Sequence, residues 1–156
     1  MNNNVKKTAF FRARNAVFRF LKNRLHSEKE IRDKLAKKKF DTQIITQTIQ
    51  YFKDINLIDD RQFTQQWIAS RLAKPFGINR IRFELNAKGI PKTILKEEIQ
   101  NMFVQYPEVE IVTELLKKQK EKYHDADQMK IKQRLYGYLA RRGFNNDAIT
   151  KAMGQI

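Results

Sequence analysis

Few residues in this chain could do covalent chemistry. Its 156 residues include no Cys and only two His, so disulfides and thiolate nucleophiles are out of reach. Neither His26 nor His124 has a neighbour at metal-ligand spacing, and His26, just before "SEKE", reads as a turn or cap residue. The glycine-bearing stretches "GYLARRG" (137–143) and "GIPKT" (89–93) miss the phosphate-cradling pattern in both spacing and composition. Two acidic pairs remain. Asp59–Asp60 is explained by a helix cap, and Glu97–Glu98 by a solvated helix face. No set of nucleophile, base and oxyanion donors can be assembled, so no enzyme, cofactor or metal site is expected.

Cations are the chemistry this sequence does offer. Lys and Arg number 32 against 17 acids, a formal charge of +15 and a pI near 10.1. Residues 1–52 alone carry 13 basic and 4 acidic side chains. Such an excess repels itself and is commonly matched by a polyanion; the plainer reading is a solvated surface that maintains solubility. Some cations recur at matching positions. Arg32 and Arg82 correspond, with Tyr136 in the third place, and Lys38, Lys88 and Arg142 form a second set. Lys34, Lys37, Lys39, Arg80 and Arg141 widen these patches. The set at 38, 88 and 142 would lie in the last turn of a helix, where a cation gains about 0.3–1 kcal/mol from the dipole without any partner. Arg71 could pair locally, for example with Asp59 or Asp60. Phe40, Phe63, Trp67 and Phe144 read as core rather than as stacking platforms.

An apolar ladder sets these positions. Ile31, Leu35, Phe40, Ile45, Ile49 and Phe52 reappear as Ile81, Leu85, Ile90, Leu95, Ile99 and Met102. A third copy runs Leu135, Leu139, Phe144, Ile149, Met153 and Ile156. A step of four, two steps of five across the break, then steps of four and three describe two amphipathic helices joined by a tight turn. Gly89 and Gly143 mark two of the turns, where a left-handed residue is expected, while Lys39 occupies the first and must accept strain. Asp41, Pro91 and Asn145 follow as helix starters. A further helix precedes each pair, at 13–25, 59–73 and 107–123. The expected fold is therefore all-α, three tandem three-helix repeats covering 1–53, 54–105 and 106–156. Residues 74–77 and 124–128 are the expected hinges. A pair of short helices cannot bury its apolar face alone, so similar units are stacked. No signal peptide or membrane span is evident, as the longest uncharged stretch runs only from Thr42 to Phe52. The sequence reads as a soluble, cytoplasmic protein.

Three segments carry a resemblance: "LHSEKEIRDKLAKKKF" (25–40), "INLIDDRQFTQQWIASRL" (55–72) and "GINRIRFELNAKGI" (77–90). Together they resemble the RecX family of regulatory proteins, which modulate the RecA recombinase. The likeness is specific over the second and third segments and thinner over the third repeat, which keeps its ladder and "RRGF". Lys39 departs from the glycine usual in the first turn. The resemblance implies an elongated, curved, modular helical protein that acts as a monomer without a cofactor. It would bind in the groove of the RecA filament on single-stranded DNA, limit filament growth, and inhibit recombinase and co-protease activities. Some relatives also bind DNA, so a helical DNA-binding protein acting without RecA is the alternative. On either reading the candidate contact residues are Arg32, Lys34, Lys37, Lys38, Lys39, Arg71, Arg80, Arg82, Lys88, Arg141 and Arg142.

Overall fold

The computed structural model describes residues 2–123 and 127–155. Among them are nine helices and no strand. In chain order they are α1 (Asn3–Leu21), α2 (Glu28–Lys37), α3 (Thr42–Asp54), α4 (Asp60–Leu72), α5 (Ile78–Ala87), α6 (Lys92–Phe103), α7 (Glu108–Lys120), α8 (Gln128–Arg141) and α9 (Asn146–Met153). They pack as three trios, α1–α3, α4–α6 and α7–α9, each around its own apolar cluster.

The ladder residues are those clusters. Ile31, Leu35, Phe52, Ile81, Leu85, Leu139 and Ile149 have essentially no exposed surface. At the last rungs the register shifts: Met153 is half-buried and Ala152 fills the core beside Ile149, while Ile156 lies outside the described residues. The break of five has a local cause. After each second helix the chain closes in the same two-bond turn: Phe40 N–H bonds the Leu35 carbonyl (3.3 Å), Ile90 the Leu85 carbonyl (3.2 Å), and Phe144 the Leu139 carbonyl (3.3 Å). A helix ending this way brings together two apolar side chains five apart, which are the rungs on either side of the break. The residue between needs positive φ, observed as 65° at Lys39, 72° at Gly89 and 82° at Gly143. Asn56, at 57°, ends α3 in the same manner; its role had no counterpart in the sequence reading.

Helix starts follow from side-chain oxygens. Ser27 and Glu30 form a reciprocal capping box on α2, Asp41 accepts from Gln43 N–H, and Asn145 accepts from Asp147 N–H. Pro91 and Pro107 sit one residue outside their helices, at the cap itself. α1 departs more from expectation, running from Asn3 to Leu21 instead of 13–25. Its first two turns are polar and carry no ladder, so periodicity cannot announce them, and the chain must leave the helix before Ser27 to form the box. The 124–128 hinge falls largely outside the described residues, as does His124. Asp127 caps α8, which already includes Gln128.

Candidate functional site

The charged residues divide into those that join the units and those that face solvent. The joints are built from the second helices. Ser27, the cap of α2, donates its hydroxyl to the carbonyl of Lys88, the residue closing α5, at 2.7 Å. At the next joint Gly77, the cap of α5, donates its N–H to the carbonyl of Arg142, which closes α8, at 2.9 Å, and Asn79 N–H bonds the Gly143 carbonyl at 2.9 Å. Each helix start, with its orphan donors, thus meets the orphan acceptors of a helix end. The first residue of the following unit completes the arrangement. Asp60 Oδ1 accepts from Glu28 N–H at 2.8 Å, and the Glu108 carboxylate accepts from the N–H groups of Ile78 and Asn145. Burial raises the pKa of both carboxyls, with those backbone bonds opposing.

Cations lock the same joints. Lys88 Nζ reaches Glu30 Oε1 of the first unit at 2.6 Å and lies 4.2 Å above the Trp67 ring. Arg71 covers that ring too, at 4.4 Å, and bonds Glu84 Oε2 at 2.6 Å, where Trp67 Nε1–H also donates at 3.0 Å. Arg71 therefore pairs with Glu84 rather than with Asp59 or Asp60; Asp59 caps α4 through Arg61 and Gln62 N–H, and Asp60 faces the first unit. Arg80 takes the second oxygen of Glu84 at 3.0 Å and lies 4.1 Å over Phe76. Arg24 holds Glu30 through both oxygens, at 3.0 and 3.1 Å. Burial would raise the Glu30 pKa, but Arg24, Lys88 and the Ser27 N–H outweigh it and bring the group down to about 2. At the second joint Arg142 donates to the Pro75 carbonyl at 3.1 Å and covers Tyr138 at 4.8 Å. His26 is buried against Phe20 with Nδ1 3.0 Å from the Arg24 carbonyl, a turn residue whose pKa is lowered by burial and by Arg24.

Other candidates stay outside these networks. Lys37, Lys38, Lys39, Arg82 and Arg141 are exposed and make no ion pair among the described residues. Lys34 lies over Phe20 at 4.9 Å, and Arg32 pairs with Glu28 one turn away at 3.1 Å. So the eleven candidates do not form one patch. Lys38, Lys88 and Arg142 are equivalent in sequence, yet Lys88 and Arg142 bond another unit and Lys38, among the described residues, does not. The acids that reach another unit, Asp60, Glu30 and Glu108, were missed as a set, as was Glu84, which ties α4 to α5. Their contacts to Glu28 N–H, Lys88, Ile78 N–H and Arg71 are not local in sequence, whereas Arg24 for Glu30 and Arg80 for Glu84 are near neighbours. Among the described residues no group of His, Asp and Glu is placed to hold a metal ion, and no helix is long and apolar enough to cross a membrane.

Fold and charge together define a class: a strongly basic, all-helical protein of three tandem three-helix units. Family models for the first, second and third three-helix domains of RecX match residues 13–52, 59–97 and 107–153 respectively. The regulatory protein RecX of Chlorobium phaeobacteroides is 34% identical, over 90% of this chain and 90% of its own. That of Clostridium perfringens is 30% identical, over 97% and 72%. The crystal structure of RecX from Lactobacillus salivarius matches the fold with a TM-score of 0.83 at 21% identity, covering 96% of this chain and 97% of that one. This chain belongs to the RecX family of regulatory proteins.

Proposed function

We propose that this chain is a non-enzymatic regulator, mainly an inhibitor, of the RecA recombinase, lying in the groove of the RecA filament on single-stranded DNA and limiting its growth. The observation that carries the reading is a family match over all three units on a chain of +15. The unpaired cations give it a mechanism. A filament on DNA is a repeating, polyanion-containing object, and a row of joined units can lay several weak contacts along it at once. Contact is carried by Lys37, Lys38, Lys39, Arg82 and Arg141, with Arg32 and Lys34 beside them. Arg71, Arg80, Lys88 and Arg142 fix the spacing between those groups.

The test is RecA's ATP hydrolysis on single-stranded DNA with this protein added well below one per protomer. Inhibition is expected, and no effect on hydrolysis or strand exchange at any ratio refutes the reading. The basic excess also supports direct DNA binding as the alternative. Phosphate contacts alone would weaken tenfold or more between about 50 and 200 mM salt. A RecA-dependent effect that persists at the upper salt favours the filament.

A further inference from the structure

The three units offer an internal comparison at one position, the groove between their second and third helices. In the second unit this groove lies between α5 and α6 and has a volume of about 520 Å³. Its floor is hydrocarbon, from Leu95, Ile99 and the half-exposed ring of Phe103, and its rim carries Arg82, Lys92 and Lys96. None of these three cations makes an ion pair among the described residues; Arg82 reaches only Asn79 Oδ1, at 3.5 Å. In the first unit the equivalent groove is filled. Glu28 receives Arg32, the counterpart of Arg82, at 3.1 Å and Lys53, the counterpart of Phe103, at 3.0 Å. In the third unit Tyr136 and Asn146, at the positions of Arg82 and Lys92, close on each other at 2.9 Å. The second unit has Ile78 where Glu28 would stand, so nothing neutralises Arg82. Lys92 also opens α6, which has no side-chain cap and no acid in its first turn, where a cation opposes the helix dipole. A local rule broken at an exposed position, beside an open apolar floor, marks a contact surface rather than a fold requirement.

We propose that this groove is a docking site for an acidic segment of a protein partner, anchored by large apolar side chains. Carboxylates meet Arg82, Lys92 and Lys96, and aliphatic or aromatic groups cover Leu95, Ile99 and Phe103, as an amphipathic helix does in an apolar groove. A nucleic acid fits less well, since single strands are held by successive aromatic platforms and this floor has one ring over two aliphatic side chains. The inference deepens the preceding reading by having a filament protomer present that segment.

The test leaves the recombinase out, so the two readings can fail separately. The probe is a fluorescein-labelled acidic peptide with Leu and Phe recurring at helical spacing, titrated against the full chain by anisotropy. Binding is expected, weakened about tenfold or more by Lys92→Glu with Lys96→Glu and about fivefold by Phe103→Ala. All three residues are exposed, so helicity should be unchanged; Lys96→Gln, expected to weaken binding in the same direction, serves if the double variant misfolds. Equal affinity for the same peptide with Ala at its apolar positions overturns the proposal, as does a failure to bind. So does oligothymidylate binding that alone responds to these substitutions. If the peptide fails while RecA hydrolysis is still inhibited, the groove assignment falls and the function stands.

Discussion

Gly77→Ala tests the joint between the second and third units directly. Gly77 has φ near −79°, a value alanine adopts freely, so no backbone strain is involved. A methyl there would instead meet Phe144 N at 2.1 Å and the Gly143 carbonyl group at 2.2 Å, where ordinary contact begins near 3.4 Å. Both obstacles are backbone, held by the turn after α8, so the units must separate by about 1 Å. Gly77 N–H to Arg142 and Asn79 N–H to Gly143, each 2.9 Å, would then stretch beyond hydrogen-bonding range. At about 0.5–1.5 kcal/mol each, plus part of the charge-assisted bond from Arg142 to Pro75, the loss is about 2–5 kcal/mol. Reduced unfolded-chain entropy returns less than about 1 kcal/mol of that. Hydrogen exchange at the Asn79 amide, followed with urea unfolding, measures the result. Lost protection and early melting of α7–α9 are expected. Gly89→Ala is the counterpart at the first joint: beyond about 1–2 kcal/mol for its positive φ, its methyl would meet Lys29 Cβ at 2.7 Å, so the loss should exceed that strain and leave Asn79 protected. If Asn79 keeps its protection in Gly77→Ala and the midpoint does not fall, this account of the joint is wrong.

Three further outcomes are expected. Lys39→Gly removes a side chain from a left-handed position (φ 65°) and should raise stability by about 1 kcal/mol, read as a higher urea midpoint at unchanged slope, while weakening RecA inhibition. Glu30 has its folded pKa depressed from 4.5 to about 2, so its contribution is present above about 4.5 and lost as pH falls from there toward 2. The full shift corresponds to about 3 kcal/mol, reduced to about 1–2 for solvent screening of its partly accessible partners; thermal melts should show the advantage of the native chain over Glu30→Gln shrinking across that window, and a constant difference would contradict it. Arg32→Ala with Arg82→Ala should leave melting within about 0.5 kcal/mol, given exposed or half-buried positions and one single-turn ion pair, yet reduce inhibition of RecA hydrolysis; loss of folding would make these residues structural.

The trio pattern was legible because its cause is local. A turn that pairs residues five apart leaves a break of five in the apolar ladder, and Gly89, Gly143 and even Lys39 mark the left-handed step. The caps at Asp41, Asp59 and Asn145 are local too. What could not be read is non-local. Asp60 looks like a second cap beside Asp59, and only the neighbouring unit shows that it accepts the first amide of α2. Arg71 has acids nearby in sequence but meets Glu84 on the next helix, at the same oxygen that accepts from Trp67 Nε1–H. The start of α1 was hidden since its first two turns add nothing to the core.

The joints also explain why equivalent cations do different work. Each second helix ends in a turn whose carbonyls serve the start of the helix before it, with α8 meeting α5 and α5 meeting α2. A cation in that turn is drawn to whatever the preceding unit supplies: Glu30 for Lys88, the Pro75 carbonyl for Arg142. Among the described residues no other second helix starts against the turn that ends α2, so Lys37, Lys38 and Lys39 stand at a turn of this kind with no such contact, and the dipole of α2 adds partial negative charge beneath them. Three adjacent ammonium groups repel one another, which offsets part of what the dipole contributes. On the proposed function a partner anion would meet these lysines first, at the unit where the charge excess of the sequence is greatest. Neutralising these three lysines should therefore weaken binding without loosening either joint, whereas neutralising Lys88 should do the reverse.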